Sequence, residues 1–213
     1  MGAIVVLIVV LAVVLTSDFD NSSPSKFTAA PSMVPSTYMV LKDFYDSTSG
    51  DNWDNNTNWL NYTVSWCAWY GITCEGNSDS IKEVIIKANN LQGSFPSSLS
   101  GLSNLVFLEL YNDRMTGTIP SEVGLLSSLK YLLLDKNSFT GKIPSEVGLL
   151  SSLEYLNFHS NSMTGSIPSE VGLLSNLEMF ILTNNLFTDT IPTEVCNLFN
   201  SGSVNVMLDT NNC

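Results

Sequence analysis

Leu129-Lys130-Tyr131-Leu132-Leu133-Leu134-Asp135-Lys136-Asn137-Ser138-Phe139-Thr140-Gly141-Lys142-Ile143-Pro144 is one turn of a pattern that returns every 24 residues between Gly93 and Asp189. The same beat runs through Leu105 to Pro120, Leu153 to Pro168 and Leu177 to Pro192, and Pro96 marks an earlier coil. A leucine pattern with a period of 20 to 29 residues reads as supersecondary units stacked on one another, because no single unit can bury its own apolar face. The expectation is a short solenoid of about five coils, with a strand and a helical or 3₁₀ turn in each.

Within one coil, Leu132 and Leu134 share a face of a short strand, and Tyr131, Leu133 and Asp135 take the other. One face is core and one is solvent. Asn137 follows the strand, with Asn89, Asp113, Asn161 and Asn185 at the equivalent places. An amide turned inward there both donates to and accepts from the bending backbone, which would otherwise be left unpaired inside the stack. Asp113 is the mismatch, because an ionised carboxylate only accepts.

Gly93, Gly117, Gly141 and Gly165, then Asp189, mark a turn that requires positive φ. Phe95, Ile119, Ile143, Ile167 and Ile191 come next, each followed by proline. Proline favours an extended residue before it and the start of a helical turn after it. The Ser-Glu-Val-Gly-Leu-Leu segments therefore read as convex 3₁₀ or helical turns that return Val123, Val147 and Val171 to the core.

The Leu129 to Pro144 pattern resembles the plant-type extracellular leucine-rich repeat, known from receptor ectodomains and from similar proteins of plants and of algae such as diatoms. The likeness covers roughly residues 38 to 213. It implies an α/β repeat solenoid, a short right-handed horseshoe with parallel strands on its concave face and disulfide-closed caps. Trp66-Cys67-Ala68-Trp69-Tyr70-Gly71-Ile72-Thr73-Cys74 is similar to the N-terminal cap of that family. At the other end Cys196 stands where Gly124, Gly148 and Gly172 stand in earlier coils, and Val204, Val206 and Asp209 are read as a last half-coil in the same register. The resemblance to the caps implies the pairs Cys67 with Cys74 and Cys196 with Cys213.

The expected organisation is an apolar signal peptide or signal anchor over residues 1–17, a Ser/Pro-rich linker over 18–36, an N-terminal cap over 37–80, the solenoid over 81–195 and a C-terminal cap over 196–213. The run from Gly2 to Leu15 is short for a membrane span of about 20 residues. It suits a signal-peptide core, yet neither a basic residue before it nor a clean cleavage site after it is present, so a membrane anchor through residues 2–15 stays open. Cysteines spaced Cys67-x₆-Cys74 and Cys196-x₁₆-Cys213 do not have zinc-site spacing and point to disulfides in an oxidising compartment. Asn21, Asn55 and Asn61 lie in N-glycosylation sequons. Together these features predict a protein that is secreted or held at the cell surface.

Eight basic against twenty acidic residues, a net charge of −12, argue against nucleic acid and anionic membrane surfaces as partners. The outward strand positions are the candidate ligand face: Phe107, Glu109 and Tyr111; Tyr131, Leu133 and Asp135; Tyr155, Asn157 and His159; and Met179. Phe107, Tyr131, Tyr155 and Met179 form one column, either an interface anchor or a cross-strand ladder that stiffens the sheet. Glu122, Glu146, Glu170 and Glu194 form an acidic row explained by helix-start electrostatics rather than by a metal site. His159 is the single histidine and pairs with no nucleophile on motif grounds, so neither catalysis, nor a cofactor, nor a metal is expected.

The resemblance implies a noncatalytic, receptor-like or co-receptor-like module that binds a protein, peptide or glycan, with a membrane-bound partner relaying any signal. A secreted inhibitor of cell-wall-type hydrolases and a structural wall or adhesion protein are the two alternatives.

Overall fold

A computed structural model describes residues 36–213, apart from 189, 201, 203 and 210–212. The apolar run 2–15, sequon residue Asn21 and turn residue Asp189 lie outside the described residues. Seven short strands form one sheet in chain order: Ile72–Cys74, Ile81–Lys87, Phe107–Tyr111, Tyr131–Leu133, Tyr155–Asn157, Met179–Ile181 and Asn205–Met207. The first pair is antiparallel and every later pair parallel. Leu108, Leu132, Leu156 and Phe180 line up in register and are completely buried. Each such side chain contributes about 1.5 to 3 kcal/mol relative to exposure.

The asparagine column is the inward ladder that its residue type predicts. Asn137 Nδ2 donates to the carbonyls of Leu110 and Leu134 at 2.7 and 3.2 Å, and its Oδ1 accepts from the Met115 N–H at 3.1 Å. Asn161 and Asn185 repeat these bonds one and two coils later. The glycine turn follows the sequence expectation too: Gly117, Gly141 and Gly165 have φ of 77°, 74° and 78°.

A second column with positive φ was not foreseen. Ala88, Asn112, Lys136, Ser160 and Asn184, each just before the ladder position, have φ between 47° and 58°. Three of the five are residue types that strain in this region. Also unforeseen are parallel strips beyond the ladder, Gln92–Ser94 with Arg114–Thr116, and Thr140–Gly141 with Ser162–Gly165 and Leu186–Phe187. Segments of two to four residues are too short to display an alternation in sequence.

The convex side is built from 3₁₀ helices Ser97–Gly101, Ser121–Leu125, Ser145–Leu149 and Ser169–Leu173, each entered from an extended proline. Neighbouring coils approach so closely here that a Cβ on Gly148 would sit 2.5 Å from the Glu170 carbonyl oxygen.

Both ends are closed. Helix α1 (Ser36–Ser47) buries Leu41, Phe44 and Tyr45 against Trp53, Trp59 and Trp69, and the same cap holds the Cys67–Cys74 disulfide, whose Cys74 packs on the core. Helix α2 (Thr193–Asn200) caps the other end, with Phe199 against Phe180 and a Cys196–Cys213 disulfide. One expectation is corrected there. Phe180 pairs with Val206, 26 residues on, so the last strand is offset by two from the 24-residue beat. A two-residue slip leaves inward residues inward, which is why alternation alone did not reveal it. The register returns at Asp209, whose Oδ2 accepts from the Asn185 N–H at 3.3 Å.

Candidate ligand face

Because the strands pair in parallel with no offset from Phe107 to Met179, side chains at equivalent positions sit side by side across the concave surface. Phe107 and Tyr131 stack at 4.7 Å between ring centroids and 22° between planes, and Tyr131 and Tyr155 at 4.9 Å and 26°. Met179 continues the column, half-buried like the three rings. Such a column serves either as a ladder that stiffens neighbouring strands or as a platform for a partner.

Charged groups border the rings. Tyr131 Oη donates to Glu154 Oε2 at 3.1 Å, and Lys130 Nζ holds Glu154 Oε1 at 2.6 Å. The hydrogen bond to the carboxylate raises the Tyr131 pKa, and the lysine lowers that of Glu154. Two coils earlier, Lys87 pairs with Glu109 at 2.8 Å. Lys136 donates to Tyr111 Oη at 2.9 Å and lies 5.2 Å from the centre of that ring. These pairs join adjacent coils, and their spacing in sequence carries no motif that predicts them.

The ladder of polar residues nearest the turn is Tyr111, Asp135, His159 and Thr183. His159 is held on both sides: Nδ1 lies 2.8 Å from Thr183 Oγ1 and 3.1 Å from the Thr183 carbonyl, and Nε2 lies 2.9 Å from Ser160 Oγ. The imidazole therefore links its own coil, through Ser160, to the next coil, through Thr183. The contact to Ser160 escapes motif reading because the two are chain neighbours. Asn157 Oδ1 accepts from the His159 N–H at 3.0 Å, and Leu133 is half-buried between Glu109 and Asn157.

Asp135 differs from the solvent-facing residue expected at its position. It is only 9% exposed, and burial raises its carboxyl pKa against the opposing pull of its own backbone N–H, His159 and Lys136. It forms no ion pair among the described residues. The concave face thus joins an apolar aromatic column to a largely buried carboxylate that is stabilised by its own backbone, by His159 and by Lys136 but is held in no ion pair among the described residues.

Of the sequon residues, Asn61 is exposed and Asn55 half-buried. In each, Oδ1 accepts from both the backbone N–H and the hydroxyl of the following threonine, Thr63 and Thr57 respectively. Both lie in the N-terminal cap, ahead of the strands that carry the aromatic column. Among the described residues no three or more metal-ligating side chains converge, and no helix is long and apolar enough to cross a membrane.

Residues 128–150, 152–174 and 176–198 match the Leucine Rich Repeat family. A stretch of 57 residues is 40% identical to the receptor-like protein kinase HSL1 of Arabidopsis thaliana, spanning 27% of this chain and 6% of the length of that kinase. The BIR2 ectodomain of Arabidopsis thaliana superposes with a TM-score of 0.69 at 25% identity, over 74% of this chain and 84% of that one. The Arabidopsis receptor kinase HAESA, solved with the peptide hormone IDA and the co-receptor SERK1, superposes with a TM-score of 0.58 at 27% identity, over 78% of this chain and 32% of that one.

Proposed function

From a chain that is a leucine-rich-repeat protein of the plant extracellular type, we propose a noncatalytic recognition module, secreted or held at the cell surface, that binds a peptide or protein on its concave face. The observation that carries this reading is the stacked column Phe107, Tyr131 and Tyr155, half-buried on the open side of the sheet. Aromatic side chains supply large contact area at small entropic cost and dominate interface energetics. Asp135 adds a carboxylate to which a lysine or arginine of the ligand can bind. The similarity to HAESA, solved with a peptide hormone and a co-receptor, supports a peptide ligand and a partner protein as the chemistry to test.

Tyr131→Ala and Tyr155→Ala test the reading. The purified chain is screened against arrays of synthetic secreted-type peptides and of glycans, and any ligand captured is titrated against both variants. Loss of the captured peptide with an unchanged melting temperature is the expected result. A fall in melting temperature with unchanged binding makes the column a stiffening ladder and sinks the proposal. Capture of glycans alone redirects it to carbohydrate.

A further inference from the structure

The convex side carries a second surface. Three leucines, Leu125, Leu149 and Leu173, are 61%, 59% and 65% exposed at equivalent positions of successive coils. A single exposed leucine means nothing, but a row in register does. A 3₁₀ helix has three residues per turn, so side chains at i and i+3 eclipse and the element has three faces. In Ser121–Leu125 the core face is Val123, continued by Leu126, both buried. Ser121 and Gly124 share a second face, on which Gly124 packs against the Glu146 backbone of the next coil. The third face is Glu122 and Leu125, and it meets solvent. Glu170 with Leu173 repeats it, and Glu146 with Leu149 does so with the glutamate half-buried against Gly124.

The outcome is an apolar row beside an acidic row, both running along the solenoid axis. Neighbouring 3₁₀ helices are in direct contact, Gly124 against Glu146 and Gly148 against Glu170, so the leucines recur at a coil-to-coil spacing of the same order as the roughly 5–6 Å between i and i+3/i+4 side chains on an α-helix. A helix laid along the solenoid can therefore set a leucine against each of Leu125, Leu149 and Leu173 while a flanking row of lysine or arginine meets the glutamates. The same charge repels an anionic membrane surface, and a second copy of this chain would bring Glu122, Glu146 and Glu170 against their own kind. We infer that the convex ridge Leu125/Leu149/Leu173, bordered by Glu122/Glu146/Glu170, docks a basic amphipathic helix of a partner protein, independently of the concave ligand face.

The test uses the purified chain and a fluorescent synthetic helix of about 18 residues, roughly 27 Å long, with one leucine row beside one lysine row. Leu125→Ser/Leu149→Ser/Leu173→Ser is expected to weaken binding by about tenfold or more. Glu122→Gln/Glu146→Gln/Glu170→Gln weakens it and flattens its salt dependence, and Tyr131→Ala leaves it unchanged. Leu149→Ser alone serves if the triple variant melts early. Equal binding by wild type and the leucine variants overturns the proposal, since the peptide is then only attracted by the net negative charge. A dimer in sedimentation that the leucine variants dissociate also overturns it, because a second copy is then the occupant.

Discussion

Asn137 Nδ2 donates to the Leu110 carbonyl 2.7 Å away, one coil back, and Asp113 stands at the same ladder position one coil earlier with no hydrogen to offer. Asp113 Oδ1 does the accepting half of the work, taking the N–H groups of Asn89 and Leu91 at 2.8 and 3.0 Å. Its Oδ2 is buried with no partner, where an amide would donate to carbonyls of Ile86 and Leu110 by the offsets seen at Asn137.

Asp113→Asn is therefore expected to stabilise the protein by about 1–3 kcal/mol, the penalty of a buried unsatisfied polar group. Burial raises the Asp113 carboxyl above the usual aspartate range. The folded state then holds its proton at pH values where the unfolded chain has lost it, so stability falls as pH rises through that window. The advantage of the variant should be largest at neutral pH and shrink as pH falls through the raised pKa toward the unfolded value. Thermal melts of both proteins from neutral pH to pH 4 read this directly, and a lower melting temperature in the variant at neutral pH rules it out.

Ala88 occupies the left-handed column at φ 47°, which costs a residue with a Cβ about 1–2 kcal/mol. Asn112 and Asn184 hold the same position with a side chain that tolerates it. Ala88→Asn is expected to raise the denaturant midpoint without changing the slope of the transition. A reduced midpoint would show that exposed Ala88 makes a contact more valuable than the strain it bears.

Gly148→Ala places a Cβ 2.5 Å from the Glu170 carbonyl oxygen and 2.6 Å from the Glu170 Cβ. The obstacle is backbone, so coils must part rather than a side chain swing aside. A loss of about 1–3 kcal/mol follows from overpacking of this kind, read as a lower urea midpoint. An unchanged midpoint would mean that the convex turns slide past one another freely.

The 24-residue beat exposes the stack, the inward leucines, the asparagine ladder and the glycine turn, because each is a residue type required at one position by sterics or hydrogen bonding. The aromatic column is legible for the same reason: parallel in-register strands turn sequence period into spatial neighbourhood. Partnerships between coils are less legible. Lys130 with Glu154, Lys87 with Glu109, and Lys136 with Tyr111 depend on which way long side chains lean, and period alone leaves that open. The left-handed column at Ala88, Lys136 and Ser160 was hidden because residues there do not advertise positive φ as glycine does. The buried state of Asp135 was hidden because the strand Tyr131–Leu133 ends before it, so alternation no longer governs where its side chain goes.

That burial leads to a prediction in which stability and binding move apart. Asp135 is a carboxylate 9% exposed, pushed above its usual pKa by desolvation, with no ion pair among the described residues. A charge held this way costs the free protein and is useful when a ligand brings the opposite charge. Asp135→Asn is nearly isosteric and removes the charge, so the free chain should melt at a higher temperature at neutral pH. As with Asp113, the difference should close as acid protonates the wild-type carboxyl, because a raised folded-state pKa is a penalty present only above the unfolded value. Any peptide captured through the aromatic column and carrying lysine or arginine should bind the variant more weakly, while Asp113→Asn leaves its affinity unchanged. If Asp135→Asn melts lower than wild type, His159 and Lys136 already satisfy the carboxylate inside the fold, and Asp135 is a structural residue rather than a place for a ligand cation.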